Sequence, residues 1–295
     1  MSTAHVPTSP STLHIALKQN LSISRLDWTA VLGIGLLHVA CIAAPFTFTW
    51  SGLAWFIGLW WVSGGLGVCL CYHRLLTHRS FRTPKWFEYF LAFCGALSLQ
   101  GPVAKWVGTH RLHHCHSDEE MDPHSPVDSF LWGHVWWMFW RYPEGSDPTQ
   151  AAGDLLKDPF YRFMNTFYWI PQLIVAAALF FGGWAVGGLE LGLSWVVWGI
   201  AVRTIVVYHV TWLVNSASHK WGYRNFETKD HSTNLWWVAL LSWGEGWHNN
   251  HHAEQRSARH GRKWFEFDLT YLTIRALSWV GLARDIVEPK KAFDR

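Results

Sequence analysis

Long apolar stretches alternate with polar, histidine-rich segments along this chain. Four of the apolar stretches, roughly 28–48, 53–72, 167–188 and 192–214, reach the length an α-helix needs to cross a bilayer, about 20 residues. Very short connections around 49–52 and 188–191 join them in two pairs, so each pair reads as a helical hairpin. A weaker apolar stretch, 87–99, is too short to span. It is followed by Gly101-Pro102 and reads as a buried or interfacial helix. The pattern predicts an all-α integral membrane protein. Residues 1–27 form a polar tail with Pro7 and Pro10, and 28–295 form a single membrane domain.

Charge placement orients the spans. Neither hairpin connection contains Lys or Arg. Every such residue except Arg203 falls in the N-terminal tail, between the hairpins, or after the last span. With four spans those three segments share one side, and the positive-inside rule makes that side cytoplasmic, both termini included. Arg203 lies inside the fourth span. A charge at the bilayer centre costs about 2.5–3.5 kcal/mol on insertion scales, so Arg203 is expected to face the bundle interior.

Composition agrees. Half the residues are hydrophobic and 15% are charged, against about 25% in an ordinary soluble protein. The 23 Trp, 18 Phe and 8 Tyr suit a protein that can place rings at two membrane interfaces. A net charge of +3, scattered along the chain, excludes a nucleic-acid binder. The five Cys have no regular spacing and include no C-x-x-C, which argues against a disulfide framework. The start of the chain lacks the charged, apolar and small-residue sequence of a signal peptide.

The 18 His are clustered. His73 and His78 end the second apolar stretch. His110, His113 and His114 lie between the hairpins, and His248, His251 and His252 follow the fourth stretch. Asn215 and His219 lie just past its end. Residues at i, i+3 and i+4 share a helix face, so each triplet can converge, as can Asn215 with His219. His73 and His78 are five apart, which suits an α-helix badly. They converge if the helix ends near Leu75 and the chain turns. All these groups fall on the cytoplasmic side. Neutral imidazole is the commonest metal ligand. Nine are too many for one tetrahedral zinc and suit two ions with open positions, held in a cytosolic helical cap. A hydrolytic zinc site would be expected to show H-E-x-x-H, which is absent. His38 and His209, alone within spans, read as packing residues.

The motifs are His73-Arg74-Leu75-Leu76-Thr77-His78-Arg79, His110-Arg111-Leu112-His113-His114, Asn215-Ser216-Ala217-Ser218-His219 and Gly244-Glu245-Gly246-Trp247-His248-Asn249-Asn250-His251-His252. In this order and between these spans they resemble the membrane fatty-acid desaturase family over about residues 28–285. Thr211-Trp212-Leu213-Val214-Asn215-Ser216 is similar to the Δ9 branch, closest in pattern to bacterial and cyanobacterial members. The resemblance implies two iron ions held by the nine His, with Asn215 completing one shell through a water. It implies insertion of a cis double bond, at Δ9, into a saturated acyl chain, using oxygen and two electrons. The acyl group could arrive on a membrane lipid or as a thioester. No haem-anchoring or iron–sulfur pattern is present, so an external donor such as ferredoxin or a cytochrome is expected. Chemistry agrees: an unfunctionalised methylene has no acidic proton, and the cofactor must carry the hard step. A di-iron lipid hydroxylase would use the same ligands. A transporter or metal-storage protein is the different-class alternative, and a transporter would be expected to show internal repeats that are not evident.

Further residues follow from position. Gln100, Trp106 and Thr211 match the family's residues at the bend of the acyl tunnel. Trp106 and Thr211 each stand one helical turn before a ligand. Asp118, Asp122 and Asp230 are candidates to orient ligating His, Asp122 foremost. Counting back from His73 at 1.5 Å per residue places Gly65 and Trp61 about 12 and 18 Å deeper, where they could form the floor that gauges chain length.

Overall fold

The structure, a computed structural model, describes residues 21–127, 129–142 and 146–290. It is all-helical, with no strand among the described residues. Most of the expected polar tail lies outside the described residues. Its end carries one short turn, Ile23–Arg25, and is tied down where Asp27 N–H donates to the Phe139 carbonyl at 2.8 Å.

Three helical stretches are long and apolar enough to cross a membrane: Trp28–Phe46, Trp50–Thr77 and Ile170–His219. The first opens as α1, Trp28–Cys41, where the Asp27 side chain accepts from the Thr29 and Ala30 amides and so satisfies the free N–H groups of the first turn. The second is α2. Thr49 caps it through the Gly52 amide at 2.9 Å, and it runs unbroken through the first histidine motif. The third, 50 residues long, covers both of the apolar stretches expected after residue 167. It consists of α3, Ile170–Val196, and α4, Arg203–Ser216, joined by the π-type turns Val197–Val202. Within α3 the backbone leaves helical geometry at Gly187 and Gly188, and Gly188 takes φ 78°, which glycine adopts without penalty. The arms on either side pack closely: a Cβ on Gly183 would lie 2.8 Å from Gly192 Cα. The chain therefore doubles back where the sequence predicts a connection.

One expectation is corrected. His73 does not end its helix. From Trp61 to Thr77 α2 winds as a π-helix, with the His78 amide bonded to the His73 carbonyl five residues back at 3.1 Å. Such a turn holds more residues than the 3.6 of an α-helix, so His73 and His78 fall on one face without any turn in the chain.

Between the long stretches lie α5, Lys85–Ala96, and α6, Val103–His116, each entered by a proline at 84 or 102 that fixes an extended residue before the helix. Helix α5 is buried against α2. Gly67 and Gly95 meet so closely that a Cβ on Gly67 would collide with the Gly95 backbone. This junction forms the main apolar core, with Leu70, Leu91, Val103, Tyr161 and Ile274 almost wholly buried. Each fully buried leucine there stabilises by about 1.5–3 kcal/mol. Three shorter helices follow α4: α7, Trp236–Leu241, α8, His248–Ala253, and α9, Leu269–Trp279. Arg203 is fully buried, as its sequence position requires. Its guanidinium donates to the Gly199 and Leu97 carbonyls and to Gln172 Oε1, so the charge is solvated by protein.

Candidate metal centre and acyl cavity

The four histidine-bearing segments meet. His73 and His78 come from the end of α2, and His110, His113 and His114 from α6. His219 comes from the short turn after α4, and His248, His251 and His252 from α8. They fall into two groups. His73, His78, His110, His114 and His251 form one; His113, His219, His248 and His252 form the other. Within each, the candidate ligand atoms all lie within 4.8 Å of one another. The α6 and α8 triplets split between the groups. The Nε2 atoms turn inward: His251 to His73 is 3.1 Å, His251 to His114 is 2.9 Å, His114 to His110 is 3.0 Å and His252 to His248 is 3.0 Å. His78 Nε2 and His219 Nε2 are buried without a hydrogen-bond partner.

The Nδ1 atoms turn outward, several of them to carboxylates. His113 reaches Asp122 at 2.8 Å, His219 reaches Asp118 at 2.7 Å and His252 reaches Asp230 at 2.9 Å. An ionised carboxylate accepts only, so Nδ1 carries the proton and the inward Nε2 offers its lone pair. Burial and the neighbouring imidazoles hold His78, His110, His114, His248 and His251 well below the ordinary histidine pKa. His252 is pushed down to about 4, chiefly by burial, with Asp230 offsetting part. These imidazoles are therefore neutral at physiological pH, the form that binds metal. His113 departs upward: burial lowers its pKa, but Asp122 outweighs it. Asp122 itself is fully buried. Burial raises its pKa, yet His113, His124 and the Asp118 amide pull it well below the usual carboxylate range. A cluster of imidazoles with facing Nε2 atoms, three of them with Nδ1 held by an aspartate, fits a pair of metal ions.

Sequence reasoning missed one buried network. Arg74, fully buried, donates through Nε to Glu245 Oε1 and through Nη1 to Asp268 Oδ2, both at 3.0 Å, and also to the Ala258 carbonyl. Glu245 Oε2 then sits 2.8 Å from His73 Nδ1 and 3.1 Å from His260 Nδ1. His73 Nδ1 has no other partner, though it lies off the line of a good hydrogen bond. This ties the first motif to the fourth through charges that each motif carries beside its histidines. The available signal was an Arg and a Glu in otherwise apolar surroundings.

Two cavities meet beside the histidines. The larger, about 390 Å³, runs from Asp27, Lys105 and Tyr142 inward to Trp106, His110 and Asn215. The smaller, about 40 Å³, continues past His73 and His248 between α2 and α4. Trp106, His110, Thr211 and Asn215 line both. At this junction Trp106 Nε1 donates to Gln100 Oε1 at 2.9 Å, and Gln100 Nε2 donates to Thr211 Oγ1 at 2.8 Å. The three residues matched to the tunnel bend thus form one hydrogen-bonded chain at the elbow. Asn215 lies on the cavity wall one turn before His219, inside α4; the helix is capped by Ala217, so Asn215 is not its cap. Trp61 and Gly65 are not on the wall, and Trp61 is 39% exposed. Gly64 and Trp243 line it instead. His38 and His209 face each other at 3.1 Å away from the centre, and His209 also meets His134 at 3.1 Å, in keeping with packing roles.

Comparison with known proteins follows the same lines. The profile of a family described as "Fatty acid desaturase" matches residues 48–277. The chain is similar to the sn-1 stearoyl-lipid 9-desaturase of Anabaena variabilis, 46% identical over 265 residues that cover 89% of this chain and 94% of that protein. It is similar to the chloroplastic palmitoyl-monogalactosyldiacylglycerol delta-7 desaturase of Arabidopsis thaliana, 45% identical over 90% of this chain and 70% of that protein. It is also similar to an acyl-CoA C20 Delta5-desaturase of Anemone leveillei, 45% identical over 90% of this chain and 83% of that protein.

Proposed function

This chain belongs to the fatty acid desaturase family, an oxidoreductase among relatives named for desaturation, and on that premise we propose that it inserts a cis Δ9 double bond into a saturated acyl chain on a membrane lipid. The nine histidines would hold two iron ions, one at each group, with Asn215 completing the four-histidine shell through a water. Bound there, with oxygen and two electrons from an external donor such as ferredoxin or a cytochrome, the ions would supply the oxidising power to take hydrogen from an unactivated methylene, which no side chain can. Per double bond, one O2, two electrons, two protons and the two substrate hydrogens leave as two waters.

The chain's own residues place the substrate. The carboxyl end occupies the larger cavity, whose outer part carries Asp27 and Lys105, and the methyl end occupies the apolar smaller one. The Trp106–Gln100–Thr211 hydrogen bonds hold the elbow rigid, so one pair of methylenes stands beside the histidines. The carboxylates fix the ligand rings from outside, and the buried wall keeps bulk water from the reacting carbons. The lipid carrier is favoured by the stearoyl-lipid relative and by a larger cavity walled on one side by Gly33, Ile34 and Leu37 of α1, a helix otherwise largely exposed.

In the membrane the reversal at Gly187–Gly188 makes the third apolar stretch two crossings, four in all. Both ends and the histidine centre then lie on the cytoplasmic side, which the Lys and Arg distribution supports. The observation that carries the functional reading is the convergence of nine histidines, eight of them buried, from four segments into two candidate ligand sets. Expression in a bacterial host, followed by mass spectrometry of lipid acyl chains, tests it. New monounsaturated chains with the bond at carbon 9 are expected. Hydroxylated chains, or none altered, would refute it.

A further inference from the structure

The smaller cavity ends against a single side chain that has no role in the chemistry above. Trp243 is 9% exposed and stands at the far end from the histidines. Its ring packs against Gly64: a Cβ there would be 2.5 Å from Trp243 Cζ3 and 2.6 Å from Cη2. Behind it, the Trp60 ring packs at 5.0 Å between centroids. The indole is thus wedged between the α2 backbone and another indole, and it fills space that would otherwise extend the cavity.

Its backbone is pinned for this purpose. Trp243 takes φ 53°, a left-handed conformation uncommon for a bulky residue. The Thr270 amide and hydroxyl both donate to its carbonyl, at 2.9 and 3.0 Å. A strained residue held by external hydrogen bonds, with its side chain closing a functional cavity, is where strain is expected to serve function.

We propose that Trp243 sets the acyl-chain length this protein accepts, by closing the methyl end of the cavity against Gly64. The inference rests on the desaturase reading and names the specificity of that same site. Val68, Cys69, Val207, Val210 and Val214 line it, and the polar Ser242 and Glu245 on the same wall are engaged by the Val238 carbonyl and Arg74, so the space suits methylene and methyl groups. The space beyond the elbow is tight, about 40 Å³, so each further methylene of the chain presses toward Trp243. The protein therefore favours the shorter of the saturated chains a membrane offers. Shrinking residue 243 opens the space toward Trp60, whereas adding a methyl at Gly64 drives the indole further into it.

The test uses the full chain in a bacterial host whose lipids carry tetradecanoyl, hexadecanoyl and octadecanoyl groups, with products resolved by length and bond position. Trp243→Val should move the octadecenoyl-to-hexadecenoyl product ratio up by roughly tenfold, the value of burying two further methylenes. Trp243→Phe should give a smaller shift in the same direction, and Gly64→Ala the opposite shift. Bond position should not move, because the elbow is untouched. If Trp243→Val does not accumulate as folded membrane protein, the Phe and Gly64 variants decide. An active Trp243 variant, or an active Gly64→Ala, with the parent's chain-length profile overturns the proposal. A parent that makes no unsaturated product at all refutes the desaturase reading instead, so the two failures are distinguishable.

Discussion

The two histidine groups are built differently on their outer sides. In the four-histidine group, three of the four Nδ1 atoms rest on aspartates: Asp122, Asp118 and Asp230. Among the described residues, only His73 of the five-histidine group touches a carboxylate, Glu245, and that charge is already shared with Arg74 and His260. The group with fewer ligands has the more anionic surround. Carboxylates behind a ligand raise its basicity and fix its ring. The poorer ligand set is thus offset by stronger orientation, while the richer set relies on number and close packing.

Loss of a ligand is the largest expected effect, and it falls on both groups. His251→Ala in the five-histidine group and His113→Ala in the four-histidine group should each abolish desaturation while the protein still inserts, read as lipid product against membrane yield. His38→Ala and His209→Ala, away from the centre, should be far milder. Near-normal activity in the ligand variants would break the comparison at its root.

Next comes the asymmetry itself. Asp122→Asn keeps the shape and removes the charge behind His113. It should weaken metal retention at the four-histidine group by about 10–100-fold while sparing the other, measured by chelator titration of the purified protein. Equal loss from both groups would contradict the division of labour.

Glu245→Gln probes the other side. Arg74 keeps Asp268 but loses its second carboxylate in a fully buried setting, at a cost of about 1–3 kcal/mol in stability, visible as a lower melting temperature. Metal loss from the five-histidine group should be smaller than the loss Asp122→Asn causes in its own group, because four ligands remain that do not lean on Glu245.

The smallest effect is expected at Asn215. It lies on the cavity wall, and in the role proposed for it would act through a water, so Asn215→Ala should lower turnover several-fold and leave most of the metal in place. Unchanged turnover and unchanged metal would remove Asn215 from the four-histidine shell.

Much of this was legible in the sequence because helical spacing is a reliable ruler. The triplets at 110–114 and 248–252 both turn into the histidine cluster, each dividing between its two groups, and Gln100, Trp106 and Thr211 are hydrogen-bonded to one another. The ruler failed where the helix is not α. In the π-wound part of α2 a turn holds more than 3.6 residues, so His73 and His78 share a face without a helix end. The same count put Gly65 and Trp61 below the histidines, and neither lines the smaller cavity. Two turns below His73 lies Gly64 rather than Gly65, and the bulky partner comes from Trp243, some 180 residues away in sequence, which no local count finds. The Arg74–Glu245–Asp268 network stayed hidden for a similar reason. Burial of a charge is visible only once the partners that neutralise it are in place.

The central claim is that these nine histidines hold two iron ions in two unequal sites. Elemental analysis of the purified protein, in detergent, tests it most directly. The account predicts two irons per chain in the parent and about one in His219→Ala, the remaining iron belonging to the intact five-histidine group. An active parent with one metal or none per chain, or a His219→Ala protein that keeps both irons, would contradict it.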